Sequence, residues 1–395
     1  MVAMTRAMPA PAWPVARERR RFVPVLPTLW PGMLSPIAPP RGAPFPLGAE
    51  RLARFYFARN AVYHGARLLG LAGAEVLVPA YHHGVEIAAL VAAGAIPRFV
   101  RVDARMRLDL DDARARIGPR TRALYVIHYA GFAQPMADVL ALAREAGLRV
   151  VEDCALALFS CDGARRLGAS GDAAVFCFYK TIPVPNGGAL VLNDPALPDP
   201  PAAAENAPLG STLSHAAGSL LANAAFRLGD AGETLRSGLR GAVQAARRAS
   251  GIRPVSTGTS TFDPARVGLG MSGLSTRIAA RLDAAAIVAA RRRNWFLLLA
   301  RLRDRVPPLL AELPAGVCPL FYPLACDDKA AMQARLAARG IETVDFWRSG
   351  HPLCDDREFP EVEALRRRVL EVPVHQDLGA EDMTYVARCV REALP

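Results

Sequence analysis

Short apolar runs alternate with segments of helical spacing over residues 58–194. In the helical segments apolar residues return every three or four positions, whereas the strand-like runs are almost continuously apolar. The predicted strands are 75–81, 96–103, 123–129, 149–155, 172–178 and 188–194. The predicted helices are 58–71, 84–94, 108–118 and 135–148. This alternation predicts an α/β fold with a mostly parallel central sheet and helices on both faces.

The C-terminal part of the chain predicts a second, smaller α/β unit. A single long helix is predicted over 275–303. The elements expected after it are strands within 318–326, 340–346 and 370–378 and helices at 328–339 and 380–393. We therefore expect three parts: a Pro- and Arg-rich, loosely ordered leader (1–45), a large domain (46–260), and a connecting helix with a small domain (261–395). The Ala/Gly/Ser-rich stretch 195–260 is compatible with a substrate-specific insertion or with a segment lying against a membrane.

Composition limits the class of protein. No run of about 18 uncharged apolar residues occurs, so no membrane span is predicted. The basic N-terminus has no apolar segment before a cleavage site, which argues against a secretory signal. Seven cysteines, without a CxxC pair, argue against a disulfide framework or a structural zinc site. These features predict a cytoplasmic protein without a metal site.

The formal net charge of +11 permits anionic partners. Phosphorylated or nucleotide-linked small molecules, nucleic acid and a membrane surface all fit this charge. The basic clusters at 17–21, 291–294 and 366–368 are short, and the last two fall in helical patterns. No nucleic-acid-binding motif surrounds them. Charge is then the only feature that supports a nucleic-acid partner, and we do not predict one.

Lysine is rare in this chain. Of 48 basic residues only Lys180 and Lys329 are lysines, and Lys180 lies in the stretch FCFYKTIPVPNGG. A lysine amine can lose its proton and attack a carbonyl group, which an arginine side chain cannot do. From composition alone, a chance surface lysine is an equally good explanation.

Three polar residues follow or end three of the predicted strands. They are His83, Asp153 and Lys180. In a parallel sheet ligands bind beyond the carboxyl ends of the strands. An imine-forming amine, a carboxylate for a pyridinium nitrogen and a flat ring for stacking are what pyridoxal 5′-phosphate (PLP) needs. Taken singly, the aspartate could be a helix cap or ion-pair partner and the histidine could be structural; their joint placement favours a PLP site.

Several motifs resemble those of one enzyme family. The stretch EVLVPAYHH resembles EVIVPAYTF, RVVEDCALAL resembles VIEDAAQA, and GDAAVFCFYK…NGGALV resembles GDAxxFSFxxxK…GGxxV. The tail LEVPVHQDLGAEDMTYVARCV resembles LPxHxxLxxEDxxxV. These are motifs of the DegT/DnrJ/EryC1/StrS aminotransferases, fold-type I enzymes that use PLP mostly on nucleotide-linked keto sugars. The resemblance runs from about residue 50 to the C-terminus.

The resemblance implies roles for individual residues. Lys180 takes the place of the lysine that holds PLP as a Schiff base and then acts as general base. It lies seven residues before Gly187, which is the family's spacing. Asp153 takes the place of the partner of the pyridine nitrogen, and His83 that of the stacking aromatic. Arg59 and Asn60 fall where the family has a phosphate-binding Ser-Gly-Thr.

Three departures from the family pattern stand out. Cys177 replaces a phosphate-binding serine and is a weaker hydrogen bonder. Leu156 replaces a glutamine that lies near the 3-hydroxyl of the cofactor. The Asn and Arg that the neighbouring subunit provides before Met-Ser are not recognisable in GLGMS at 268–272. With these departures we still expect the cofactor to bind. The substrate need not be the sugar nucleotide that is usual for the family.

The resemblance implies a PLP-dependent aminotransferase. The enzyme would move an amino group from a donor such as glutamate to a keto sugar, in sugar or polysaccharide biosynthesis, as a homodimer. One alternative is a binding or regulatory protein that keeps the fold without the activity. Another is a PLP-dependent sugar dehydratase, although dehydrating relatives replace the lysine by histidine and Lys180 is retained here.

Overall fold

A seven-stranded sheet forms the centre of the molecule. The computed structural model describes residues 21–35, 42–239 and 261–394. The strands of the sheet are β1 (Leu52–Phe55), β2 (Glu75–Pro79), β3 (Ile96–Val100), β4 (Thr121–Ile127), β5 (Arg149–Cys154), β8 (Ala173–Cys177) and β9 (Gly188–Leu192). Their order is β1-β9-β8-β5-β4-β2-β3, and the pairs from β8 to β3 are parallel. The predicted fold class is therefore confirmed.

The sequence pattern did not predict the antiparallel strand pairs at one edge of the sheet. β9 runs antiparallel to β8, and β1 adds an antiparallel edge strand beyond it. β1 is only four residues long, too short for its alternation to stand out from the surrounding sequence. A two-stranded hairpin, β6 (Cys161–Asp162) and β7 (Arg165–Arg166), lies apart from the sheet.

Helices follow the parallel strands as predicted. They are α1 (Ala58–Leu68), α2 (Val85–Ala92), α3 (Leu110–Ala115) and α4 (Met136–Ala146). The start of α3 is fixed by Asp109, whose carboxylate accepts hydrogen bonds from the N–H groups of Asp111 and Asp112. α4 ends at Gly147, which adopts the left-handed conformation (φ 65°) that glycine tolerates best.

Strands β2, β8 and β9 are buried at every position. Helices and the smaller unit cover both faces of the sheet, so a strand in its interior has no solvent-facing side. This double burial explains why their sequences are continuous apolar runs rather than alternating ones.

The predicted single helix over 275–303 is wrong, because the structure contains two helices there. They are α6 (Gly273–Ala279) and α7 (Ala284–Leu302). Asp283 separates them, and its side chain caps α7 by accepting a hydrogen bond from the N–H of Ala286. Aspartate favours a cap over a helix interior because its carboxylate satisfies otherwise unpaired N–H groups.

A second sheet and three helices form the smaller unit. Its strands are β10 (Phe321–Ala325), β11 (Val344–Asp345) and β12 (Val369–Pro373), all antiparallel with β12 in the centre. Its helices are α8 (Lys329–Ala338), α9 (Pro360–Arg368) and α10 (Ala380–Ala393). α9 was not assigned from the sequence, whereas α10 has the predicted bounds.

Part of the expected leader is packed against the rest of the molecule. Val23 is fully buried, and its backbone is hydrogen-bonded to Gly340 and Glu342. The expectation of loose order is therefore wrong for residues 22–35, while residues 1–20 and 36–41 lie outside the described residues. The chain is held there because β-type pairing with the smaller unit buries its apolar side chains.

The stretch left unassigned from the sequence contains a long helix. α5 spans Leu209–Leu228, and helical residues continue over 230–239; residues 240–260 lie outside the described part. No helix among the described residues has both the length and the apolar character that crossing a bilayer requires. The domain boundaries predicted from the sequence stay predictions.

Candidate active site

A cavity of about 140 Å3 lies at the carboxyl ends of the parallel strands. Five of the six residues predicted from the sequence line it: Arg59, His83, Asp153, Cys177 and Lys180. They come from α1, from the turn after β2 and from β5, β8 and the loop after β8. Parallel strands bring these points together because all their carboxyl ends lie at one edge of the sheet.

Asp153 is fixed in the cavity by two hydrogen bonds. The Tyr125 hydroxyl donates to its Oδ2 at 2.6 Å, and the N–H of Ala155 donates to its Oδ1 at 2.8 Å. Burial raises the pKa of Asp153, and the nearby Glu86 carboxyl raises it further. A cationic ligand group placed against Asp153 would relieve both effects, since opposite charge favours the ionised carboxylate.

Lys180 reaches the same cavity from the loop after β8. Within the described part of the chain no hydrogen bond or ion pair is found for its Nζ atom. Lys329, by contrast, is buried and forms an ion pair with Asp345 and a hydrogen bond to Phe346 O. The two lysines therefore differ in the contacts of their amines. The Lys329 amine stabilises the smaller unit, whereas the Lys180 amine is available in the cavity.

The Gly-Gly pair after Lys180 brings α1 close to β9. A Cβ atom at Gly188 would lie 2.3 Å from the backbone nitrogen of Ala58, so only glycine allows this approach. The first turn of α1 is thereby held beside the cavity. No side chain caps α1, and the start of the helix, which carries partial positive charge, lies at the cavity.

Arg59 adds a cation at this end of the cavity. It is buried, and its guanidinium lies 3.8 Å from the centre of the Phe57 ring. Burial lowers its pKa, although an arginine stays protonated in the physiological range. Cys177 lies on the same side of the cavity and is also buried. This half of the cavity suits a phosphate group.

His83 presents a neutral ring to the cavity. Burial lowers its pKa to about 4, and the charges of Lys180 and Arg59 lower it in the same direction. Its Nδ1 atom is buried and finds no hydrogen-bond partner among the described residues. An uncharged flat ring with an unsatisfied edge atom fits a planar ligand with polar substituents.

Two residues singled out from the sequence behave differently. Asn60 does not line the cavity, because its side chain donates a hydrogen bond to Arg266 O at 2.8 Å. Its backbone N–H is bonded to Phe57 O, so neither its side chain nor its N–H group is offered to the cavity. Leu156 does line the cavity and offers only apolar contact.

Sequence reasoning missed Glu86. This residue lies in the first turn of α2, lines the cavity and is buried. Its Oε1 accepts a hydrogen bond from the N–H of His83 at 2.8 Å. Burial raises the pKa of Glu86, and Lys180 acts in the opposite direction. Its position three residues after His83 was the available signal, since that spacing places an acid at the start of a helix.

Trp347 was also missed, and no local sequence signal could have found it. It enters the cavity wall from the smaller unit, almost 200 residues after Asp153. Its backbone is left-handed (φ 45°), and its ring stacks on Phe346 with centres 4.5 Å apart. A bulky residue held in this conformation costs roughly 1–3 kcal/mol. The surrounding contacts must therefore fix it.

A buried cluster of His128, Glu152 and Cys154 lies beside the cavity strands. His128 Nε2 bonds to Glu152 Oε2 at 3.0 Å, while His128 Nδ1 accepts from the N–H of Gln134. Glu152 also accepts from the N–H groups of residues 168, 170 and 171. His128 and Glu152 are thus paired with each other and with backbone groups, and together they hold the loop after β5.

Residues 59–208 match the DegT/DnrJ/EryC1/StrS aminotransferase family. A GDP-perosamine synthase of Vibrio cholerae is 30% identical over 130 residues, which are 32% of this chain and 35% of that protein. A UDP-N-acetyl-3-dehydro-alpha-D-glucosamine 3-aminotransferase of Acidithiobacillus ferrooxidans is 35% identical over 123 residues, 30% and 33% of the two chains. The matches thus span about a third of these relatives' length.

Solved structures share the fold over most of the chain. The sugar aminotransferase CalS13 of Micromonospora echinospora aligns with a TM-score of 0.62 at 19% identity, covering 94% of this chain and all of that one. DesV of S. venezuelae, solved with a ketimine intermediate, aligns with a TM-score of 0.59 at 23% identity over 86% and 84% of the chains. The family resemblance is thereby confirmed over residues 59–208, which match the model of the DegT/DnrJ/EryC1/StrS aminotransferase family, and the chain shares the fold of these solved structures.

Proposed function

We propose that this protein is a PLP-dependent aminotransferase that aminates a keto sugar. The observation that carries the proposal is the meeting of Lys180, Asp153 and the His83 ring in one cavity. Bound PLP would supply an electron-accepting ring that stabilises negative charge on the substrate carbon. The residues present fit this group: an available amine, an oriented carboxylate, a neutral ring and a cationic end.

Each residue has a defined task in the proposal. Lys180 Nζ would link covalently to the cofactor and, once set free as an amine, would carry a proton to and from the substrate carbon. Asp153, oriented by Tyr125, would accept the hydrogen bond of the ring nitrogen and keep that nitrogen protonated. His83 would stack on the ring. Arg59 and the first turn of α1 would bind the phosphate.

The substrates are proposed from the relatives. Relatives over residues 59–208 are named as enzymes of GDP-, UDP- and dTDP-linked sugars. We therefore propose a nucleotide-linked keto sugar as acceptor and an amino acid such as glutamate as donor. Sugar or polysaccharide biosynthesis in the cytoplasm and a homodimeric state belong to the same proposal. The excess positive charge of the chain favours such an anionic acceptor.

A second candidate function is a binding or regulatory role on the same fold. Leu156 and Cys177 favour it, because each removes a polar contact that the family motif would provide. A lysine with an available amine, kept in a chain that otherwise uses arginine, favours the enzyme.

Absorption spectroscopy with PLP tests the proposal. We expect a near-visible band in the wild-type protein that borohydride fixes covalently, and no such adduct in Lys180→Arg. Because the chain has only two lysines, peptide mapping of the reduced protein assigns the adduct to Lys180 or to Lys329. Glutamate should then shift the band to that of the aminated cofactor. A folded protein that forms no adduct, or one at Lys329, would favour the binding-protein alternative.

A further inference from the structure

Glu86 is a residue of the cavity to which the proposed function gives no task. Beside His83, four acidic or basic side chains line the cavity: Arg59, Glu86, Asp153 and Lys180. In the proposed function Arg59 serves the phosphate, Asp153 serves the ring nitrogen and Lys180 forms the covalent link. A carboxyl group kept in an apolar interior is costly unless polar groups contact it. We therefore expect a group of the ligand to contact Glu86.

The two carboxyl oxygens of Glu86 differ in their contacts. Oε1 accepts a hydrogen bond from the N–H of His83 at 2.8 Å. Among the described residues, no other residue donates a hydrogen bond to Oε2. Glu86 is only 6% exposed, and Val85 and Ile127, which also line the cavity, have no polar side-chain atom. A buried carboxyl oxygen without a donor from another residue is available to a ligand that enters the cavity.

Glu86 lies at the end of the cavity that holds Asp153. After burial, the Glu86 carboxyl is the strongest influence on the pKa of Asp153, and it raises that pKa. The Tyr125 hydroxyl donates to Asp153, and its pKa is raised by burial, by Asp153 and by Glu86. The charged or titratable groups that face Glu86 from other elements are Asp153, Tyr125, Tyr129, Lys180 and Arg366. Since Glu86 and Asp153 also line one cavity of about 140 Å3, they face the same part of a ligand.

Glu86 and Asp153 thus form a carboxyl pair within the cavity. Two carboxyl groups in one buried site repel each other when both are ionised, which favours a proton on one of them. A cationic ligand group removes this cost and lets both groups ionise. PLP offers such a cation at its ring nitrogen, where protonation also gives the ring its electron-accepting character. The phosphate of PLP is an anion, so the ring nitrogen is the group that suits the pair.

We propose that Glu86 and Asp153 act together to select the protonated ring nitrogen of PLP. Asp153 would accept the hydrogen bond of the nitrogen, and Glu86 would add a second negative charge beside it. The pair would keep the nitrogen protonated to a higher pH than Asp153 would alone, by about 1–3 units. This inference rests on the proposed function, which assigns PLP to the cavity, and it adds a residue that lies outside the motifs shared with the family.

A comparison of PLP with 1-deaza-PLP tests this inference. In the analogue a C–H group replaces the ring nitrogen, while the aldehyde and the phosphate are unchanged. Calorimetric titration of the full-length protein gives a dissociation constant for each compound, and their ratio measures the preference for the ring nitrogen. Glu86→Gln should reduce this preference at least about tenfold, equivalent to about 1.4 kcal/mol. Glutamine has the same shape and still accepts from the N–H of His83, so a purely structural role of Glu86 would leave the ratio unchanged.

Two further variants serve as controls. Glu86→Asp keeps the charge and should keep most of the preference. Glu371→Gln removes a carboxyl group that faces Lys180 but does not line the cavity, so its ratio should equal that of wild type. An unchanged ratio in Glu86→Gln, with the borohydride adduct still formed at Lys180, would overturn the inference and leave the proposed function standing. A wild type that forms no adduct at Lys180 would overturn the proposed function, and this inference with it.

Discussion

Of the residues that line the cationic end of the cavity, Cys177 is the least suited to bind a phosphate group. It is buried at the cationic end, close to Arg59, and a thiol donates only weak hydrogen bonds. Burial raises the pKa of Cys177, so the group is a neutral thiol and not a thiolate. In the proposed function, phosphate binding would therefore fall mainly to Arg59 and to the start of α1.

Cys177→Ser should tighten PLP binding. A hydroxyl at this position adds a stronger donor to the phosphate, and one net hydrogen bond contributes about 0.5–1.5 kcal/mol. We expect a dissociation constant lower by about 2- to 12-fold, measured by titration of the near-visible band. Cys354→Ser, a buried cysteine that does not line the cavity, should leave the constant unchanged. Weaker binding by Cys177→Ser would show that the phosphate lies elsewhere.

At the scale of elements, α9 connects the smaller unit to the turn that carries His83. Arg366 on α9 is buried, and its guanidinium donates hydrogen bonds of 2.9–3.0 Å to the backbone oxygens of His82, Trp347 and Ala80. It also forms an ion pair with Asp356 at 2.8 Å. One side chain thus holds two walls of the cavity, which explains how Trp347 keeps its left-handed backbone.

Arg366→Met should destabilise the protein and loosen the cavity together. Removing the guanidinium leaves three buried carbonyl oxygens and the half-buried Asp356 carboxylate without this partner. Each buried acceptor left unpaired costs about 1–3 kcal/mol. We expect a lower unfolding midpoint in denaturant and weaker PLP binding. Arg367→Met, on the exposed side of the same helix, should change neither. A loss of stability with unaltered PLP affinity would contradict the role of α9 in shaping the cavity.

For the molecule as a whole, buried ionisable groups in both units set the pH range of stability. Burial lowers the pKa of His82 to about 3, with Arg366 acting in the same direction. Native His82 therefore stays neutral while the unfolded chain binds a proton below about pH 6.5, so stability falls as the pH falls. Burial raises the pKa of Glu371 to about 8, and this group acts in the opposite direction.

His82→Gln should reduce the loss of stability on acidification. Glutamine can still donate to Pro79 O and accept from the N–H of His351, as His82 does. Between pH 7 and pH 5 the free energy of unfolding should fall by about 2 kcal/mol less than in wild type. Glu371→Gln should have the opposite effect on the same curve, since it removes a proton that the native state retains. Parallel curves for wild type and His82→Gln would contradict the prediction.

The sequence by itself determined the alternation of helices and buried strands over residues 58–194 and the residues at the strand ends. A parallel sheet buried on both sides demands continuous apolar runs, and those runs are visible without a structure. His83, Asp153 and Lys180 could be named because each follows or ends such a run, while Arg59 and Cys177 came from the family motifs. Lys180 stood out further because arginine replaces lysine almost everywhere else.

Only the tertiary structure decided which distant groups complete the cavity. Trp347 reaches it from the smaller unit and is held there by Arg366. Asn60 turns away to Arg266, although its neighbour Arg59 lines the cavity. Such features depend on contacts between residues far apart in the chain, whereas local periodicity reports only on neighbours along it.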